Sequence, residues 1–176
     1  MVELKGVNRD EALRYMGHQG KPSEGLEKII EDCEAKLLVT ARPGYVYRIF
    51  DISSEPEGVR VEGSSLLLRG NDIRGHLEGC GRAALLCATL GVETDRLIRT
   101  IEITDISSAF VMDALASAAI EEVCRIADED IKGQLDGEFL TWRFSPGYGD
   151  FPLEIQKEFL EAVNAPKKNR TLHGGK

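Results

Sequence analysis

Between Ile103 and Ile131 the chain reads ITDISSAFVMDALASAAIEEVCRIADEDI, with apolar residues at Phe110, Leu115, Ala118, Val123 and Ile126 and many alanines between them. That spacing predicts one long helix beginning after Asp105, whose carboxylate suits an N-cap. Small residues let a helix approach its neighbours closely, so this helix is expected to be central and to lie on a sheet.

The segments on either side decide what kind of sheet that is. NRDEALRYMG starts with Asn8 as a cap and Glu11 three residues on, the spacing of a capping box, and Gly17 can close the helix. A second helix is expected from about Ser23 to Leu38, with Leu26, Ile29, Ile30, Cys33 and Leu37 on one face. The period then changes. YVYRIFDIS, GVRVEG and SSLLLRG are short β-rich runs separated by Ser, Pro and Gly, the pattern of an antiparallel meander. NDIRGHLEGC reads as helical, whereas AALLCATLG is too short for its period to assign. FLTWRF, residues 139–144, reads as a strand that carries Arg143 to its end, and LEIQKEFLEAV as a final helix. Strands and helices without a strict βαβ rhythm predict an α+β fold with a mainly antiparallel twisted sheet and packed helices. No dinucleotide-binding glycine fingerprint or P-loop is present.

A chain of 176 residues with 42% hydrophobic and 30% charged content can bury one core well and is short for two domains. One domain over residues 1–164 is expected, followed by a basic flexible tail, 165–176, that contains KKNR. The net charge of -8, from 22 basic and 30 acidic residues, argues against nucleic acid as the partner. No run approaches the roughly 20 apolar residues of a membrane span, and the start has no apolar signal core, so the expectation is a cytoplasmic protein without a membrane partner. Cys33, Cys80, Cys87 and Cys124 are scattered without a CxxC pair, which favours reduced, mostly buried thiols over a metal site. His18, His76 and His173 are isolated, and no catalytic or metal role is assigned to them.

The least ordinary stretch is RFSPGYGDFP, residues 143–152. Taken with ALLCATLGVETDRLIR and the alanine-rich DALASAAIEEV, it resembles the activation domain of cobalamin-dependent methionine synthase, and more closely its stand-alone relatives. The likeness covers roughly residues 8–164 and is strongest from residue 82 onward. In the synthase the Gly-Tyr is followed by Ala-Cys-Pro and a His; here Gly149, Asp150, Phe151 and Pro152 follow, as in the stand-alone forms.

The resemblance implies binding of S-adenosylmethionine and a part in repairing oxidised cobalamin. Arg143 would pair with the ligand carboxylate, for which a guanidinium offers a planar fork. Ser145 and Gly147 would offer backbone groups to the adenine or its linker, and Tyr148 would face the ligand and the corrin. Glu121 falls where the family helix carries a ligand-binding glutamate, and Glu138 lies one position off a second family glutamate. Plainer roles stay open for each: a surface arginine at a strand end, a solvated glutamate, glycines that only form a turn.

The chain has no Asp-x-His-x-x-Gly signature for cobalamin. The resemblance therefore implies a cobalamin-binding methionine synthase chain as partner, supplying the cobalamin, and a flavodoxin-like electron donor. No catalytic residue is assigned to this chain itself. Two alternatives remain at this level: a module that senses S-adenosylmethionine or docks on a corrinoid protein without supporting methylation, and an activator of another corrinoid methyltransferase.

Overall fold

A computed structural model describes residues 2–135 and 137–163. In chain order the elements are α1 (Arg9–Tyr15), α2 (Glu24–Thr40), β1 (Gly44–Glu55), β2 (Gly58–Val61), β3 (Leu67–Leu68), α3 (Asn71–His76), β4 (Arg82–Thr89), α4 (Val92–Thr104), α5 (Ile106–Lys132), a 3-10 turn (Leu153–Ile155) and α6 (Gln156–Ala162). The fold is α+β, as the alternation of periods predicted, with a four-stranded sheet in the order β3-β2-β1-β4. The expected tail, residues 165–176, lies outside the described residues. Among the described residues no helix is long and apolar enough to cross a membrane.

The chain forms two compact units, one from residues 2–45 and 88–126, the other from 46–87 and 127–163. The first is built mainly of helices whose ends are set by local chemistry. Asn8 caps α1 by accepting the Glu11 N–H at 3.1 Å. Glu11 turns its carboxylate to Arg14, so only half of the expected capping box forms. Ser23 caps α2 by accepting the Leu26 N–H at 3.3 Å. At the other end of α2, Arg42 Nη1 donates to the carbonyls of Val39, Thr40 and Ala41 at 2.9, 3.2 and 2.8 Å, which supplies partners for C=O groups that a helix end leaves open. Asp105 caps α5, accepting the Ser108 N–H at 3.1 Å and its hydroxyl at 2.6 Å.

Leu37, Met112, Leu115, Ala119 and Val123 are fully buried in this unit, with Ala114, Ala116 and Ala118 beside them. The alanines are buried as small residues of this core, and each large aliphatic side chain contributes about 1.5–3 kcal/mol on burial. Phe110, expected on the buried face, is instead 57% exposed. The buried positions on this turn are Ala109, Val111 and Met112, which places Phe110 on the outer side. Cys33 is buried and Cys80, Cys87 and Cys124 are half-buried, none of them in a disulfide; burial pushes the Cys33 and Cys87 thiols above their ordinary range.

The second unit holds most of the sheet. β1 and β2 pair antiparallel from Ile52↔Val61 to Glu55↔Gly58, and β2 pairs antiparallel with β3 through Val59↔Leu68 and Arg60↔Leu67, which is the expected meander. The apolar run that could not be assigned by period is β4. Val46, Phe50, Val61, Leu66, Leu68, Ile73 and Leu85 form a core with Phe151, Ile155 and Val163. Residues 139–144 are not a strand, contrary to expectation. The rings of this segment meet the His76 ring of α3, so it is held through side chains rather than a ladder, and β propensity without a paired edge does not make a strand.

Candidate functional site

Within the second unit, residues 138–151 form an irregular segment laid against α3. His76 stacks on Phe144 with ring centroids 5.1 Å apart and meets the edge of Trp142 at the same distance. Thr141 Oγ1 lies 3.2 Å from His76 Nε2. Phe144 in turn meets Tyr148 edge-on at 5.9 Å and Phe151 at 6.2 Å. Phe151 is buried, whereas Phe139, Trp142 and Tyr148 are 95%, 74% and 59% exposed. One end of this aromatic series is thus anchored in the core and the other presents ring faces and edges to solvent.

The Gly-Tyr turn is closed by its own backbone. The Tyr148 N–H donates to Ser145 C=O at 3.0 Å, the Gly147 N–H to Phe151 C=O at 2.8 Å, and the Phe151 N–H to Tyr148 C=O at 2.9 Å. Gly147 and Gly149 take φ of 95° and 53°, the left-handed region that glycine enters at no steric cost. Below the turn, Asp150 caps the start of α3, accepting the Asn71 and Asp72 N–H groups at 2.7 and 2.9 Å, while Asp72 accepts the Asp150 N–H at 3.0 Å. The Asp72 and Asn71 amides hold the Asp150 carboxyl below the usual carboxylate range.

Five of the six expected site residues lie on this segment. Arg143 forms an ion pair with Asp128 near the end of α5, the two side chains being 38% and 23% exposed. Glu138 pairs with Arg82 at the start of β4. Ser145 contributes its carbonyl to the turn, Gly147 has its N–H committed to Phe151, and Tyr148 stands exposed at the tip. Glu121 belongs to the first unit, on the exposed face of α5, where its charge contributes to raising the Tyr15 hydroxyl, an effect led by burial and Glu11. The next residue, Glu122, lines a cleft of about 400 Å³ with Glu3, Leu4, Lys5, Gly6 and Asn8. Arg125 engages the Glu122 carboxylate at 2.8 Å and holds it below the usual range.

The sequence reading missed Asp128, Arg82, His76 and Asp72 as neighbours of these residues. Asp128 sits in the acidic run ADED, which gives no sign of which carboxylate meets an arginine, and Asp72 and His76 lie in an unremarkable short helix. The segment carries mixed chemistry: a guanidinium and a carboxylate on side chains that still reach solvent, and exposed aromatic rings. Such a set suits a small zwitterionic ligand with an aromatic part. No protein-family model matches the chain, and no curated protein matches it.

Proposed function

We propose that this protein binds S-adenosylmethionine at the 138–150 segment and serves reductive methylation of cobalamin held by a partner methionine synthase chain. The observation that carries the reading is the placement of Arg143, with its carboxylate partner Asp128, on the same segment as the exposed rings of Trp142 and Tyr148. Partly exposed ion pairs contribute only about 0–1 kcal/mol, so Arg143 can exchange Asp128 for a ligand carboxylate at little cost. Asp128 then remains nearby to face the ligand ammonium. The open rings offer stacking surfaces for adenine, and the second lone pair of the Ser145 carbonyl is available to its amino group.

S-Adenosylmethionine would supply the methyl group, and the partner's cobalamin, reduced by one electron from a flavodoxin-like donor, would accept it. This chain's contribution is to bind and orient. Arg143 fixes the amino-acid end, the turn fixes the nucleoside end, and Tyr148 at the exposed tip shields the sulfonium between them. Holding reactants in line lowers a barrier by several kcal/mol without any protein nucleophile.

Calorimetric titration of S-adenosylmethionine into the wild-type chain and Arg143→Ala tests the reading. A hydrogen bond to a charged group is worth about 1.5–3 kcal/mol, so the variant is expected to lose at least about tenfold in affinity while its circular dichroism is unchanged. Equal affinity in the two proteins would remove Arg143 from the site.

A further inference from the structure

We infer that Asp72 and Asp150 are positioning residues: Asp150 accepts two backbone N–H groups from the Asp72 segment and Asp72 accepts one in return, and this interlock holds the Gly-Tyr turn in the conformation that receives the ligand. The inference deepens the function proposed above and rests on it for the identity of the ligand.

Three bonds of 2.7, 2.9 and 3.0 Å join residues 78 or 79 positions apart in the chain. The contact is close enough to dictate the neighbouring residues. A Cβ on Gly149 would stand 1.9 Å from Asp72 Oδ2, and one on Gly70 would stand 2.7 Å from Asp150 Oδ1 and 3.0 Å from its carbonyl oxygen. Glycine therefore flanks the interlock on both sides because the opposing carboxylate, and at Gly70 also the Asp150 carbonyl, leaves no room for a Cβ. The Asp72 and Asn71 amides favour the charged form of the Asp150 carboxyl.

The interlock acts on the turn more than on the fold. Asn71, Asp72, Tyr148, Gly149 and Asp150 are all exposed, so removing either carboxylate opens no cavity. Phe151 is 2% exposed and stays anchored in the core without help from Asp150. The residues between that anchor and the tip, Tyr148 and Gly149, depend on Asp150 for their orientation. Losing it would leave Tyr148 present but no longer held where a ligand meets it, and preorganisation of this kind sets affinity.

The test compares wild type, Asp72→Ala, Asp150→Ala and Asp150→Asn by amide hydrogen exchange without ligand, by calorimetry with S-adenosylmethionine and by thermal unfolding. Asp150→Ala is expected to speed exchange at Asn71, Asp72 and Tyr148 and to weaken binding about tenfold, as the loss of charge-assisted bonds implies, with exchange in β1 and β2 unchanged. Asp72→Ala should do the same at Asp150 and Tyr148. Asp150→Asn should recover part of the affinity, since its amide oxygen still accepts one of the two bonds. Affinity equal to wild type in Asp150→Ala, or no recovery in Asp150→Asn, overturns the positioning role; faster exchange throughout the sheet reduces it to a structural one. Unchanged exchange in Asp150→Ala removes the interlock itself. If the wild type binds no S-adenosylmethionine while the exchange pattern holds, the functional reading and the ligand half of this inference fall together.

Discussion

Gly147 takes φ of 95°, and a Cβ placed there would rest 3.4 Å from Leu153 Cδ1. A β-branched residue in this region of backbone space carries strain of about 1–3 kcal/mol, which the turn can relieve only by changing shape. Because Ser145, Gly147 and Tyr148 are exposed, that change stays local. Gly147→Val is therefore expected to fold, by circular dichroism, and to bind S-adenosylmethionine at least about tenfold more weakly, the equivalent of roughly 1.4 kcal/mol of that strain. Normal binding by the variant would mean that the glycine is neither conformationally required nor close to the ligand. The strength of Arg143 at the same scale lies in its exchangeable partner: a guanidinium locked in a dry pair would resist the ligand, whereas this one reaches solvent.

Helix starts follow from a few consecutive residues, which is why Asn8 and Asp105 were legible as caps and Ser23 as the approximate start of α2. The start of α5 carries a pH dependence of known sign. Bonds from the Ser108 hydroxyl, then from the Ser108 amide, hold the Asp105 carboxyl below its ordinary range. A depressed carboxyl contributes stability that is fully present above its unfolded value, about 3.9, and is lost as pH falls through the lower folded value. Asp105→Asn keeps an acceptor but no charge, so the thermal midpoint of the wild type should exceed that of the variant at pH 6, and the gap should narrow as pH falls below about 3.9. A gap independent of pH would show that the charge contributes nothing. Other elements were hidden for physical reasons. The sequence reading assigns no element to 92–104: VETDRLIRTIEIT is rich in β-branched residues and lacks a side-chain cap, yet it forms α4 from Gly91 on, with the Thr94 hydroxyl donating back to Leu90 C=O at 3.1 Å. Residues 139–144 alternate like a strand, yet Trp142 and Phe144 meet His76, a contact that depends on a residue far away in the chain. The candidate residues on RFSPGYGDFP could be named from the sequence, whereas their neighbours Asp128 and Asp72, and Arg82 beside Glu138, became visible only once separate segments were brought together.

For the whole molecule the decisive assay is conversion rather than binding. Mixed with S-adenosylmethionine, a one-electron donor and a cobalamin-loaded synthase lacking its own activation domain, the protein is expected to turn cob(II)alamin into methylcobalamin, followed by the visible spectrum. Tyr148→Ala, which removes an exposed ring leaning edge-on against Phe144, should slow this conversion more than it weakens ligand binding. A spectrum that stays that of cob(II)alamin, although ligand binds and the partner docks, would favour a sensing module instead. The division of the chain into units has a separate consequence for how the protein comes into being. Each unit draws on two stretches, and the first stretch of the second, 46–87, falls between the two stretches of the first. On the ribosome, β1 to β4 emerge well before Phe151, Ile155 and Val163, which complete their core. Until then Val46, Phe50, Val61 and Leu85 lack much of their cover, and closure over so long a loop is slow. The nascent sheet is thus the stage most open to aggregation, and any truncation before Val163 leaves that core unfinished.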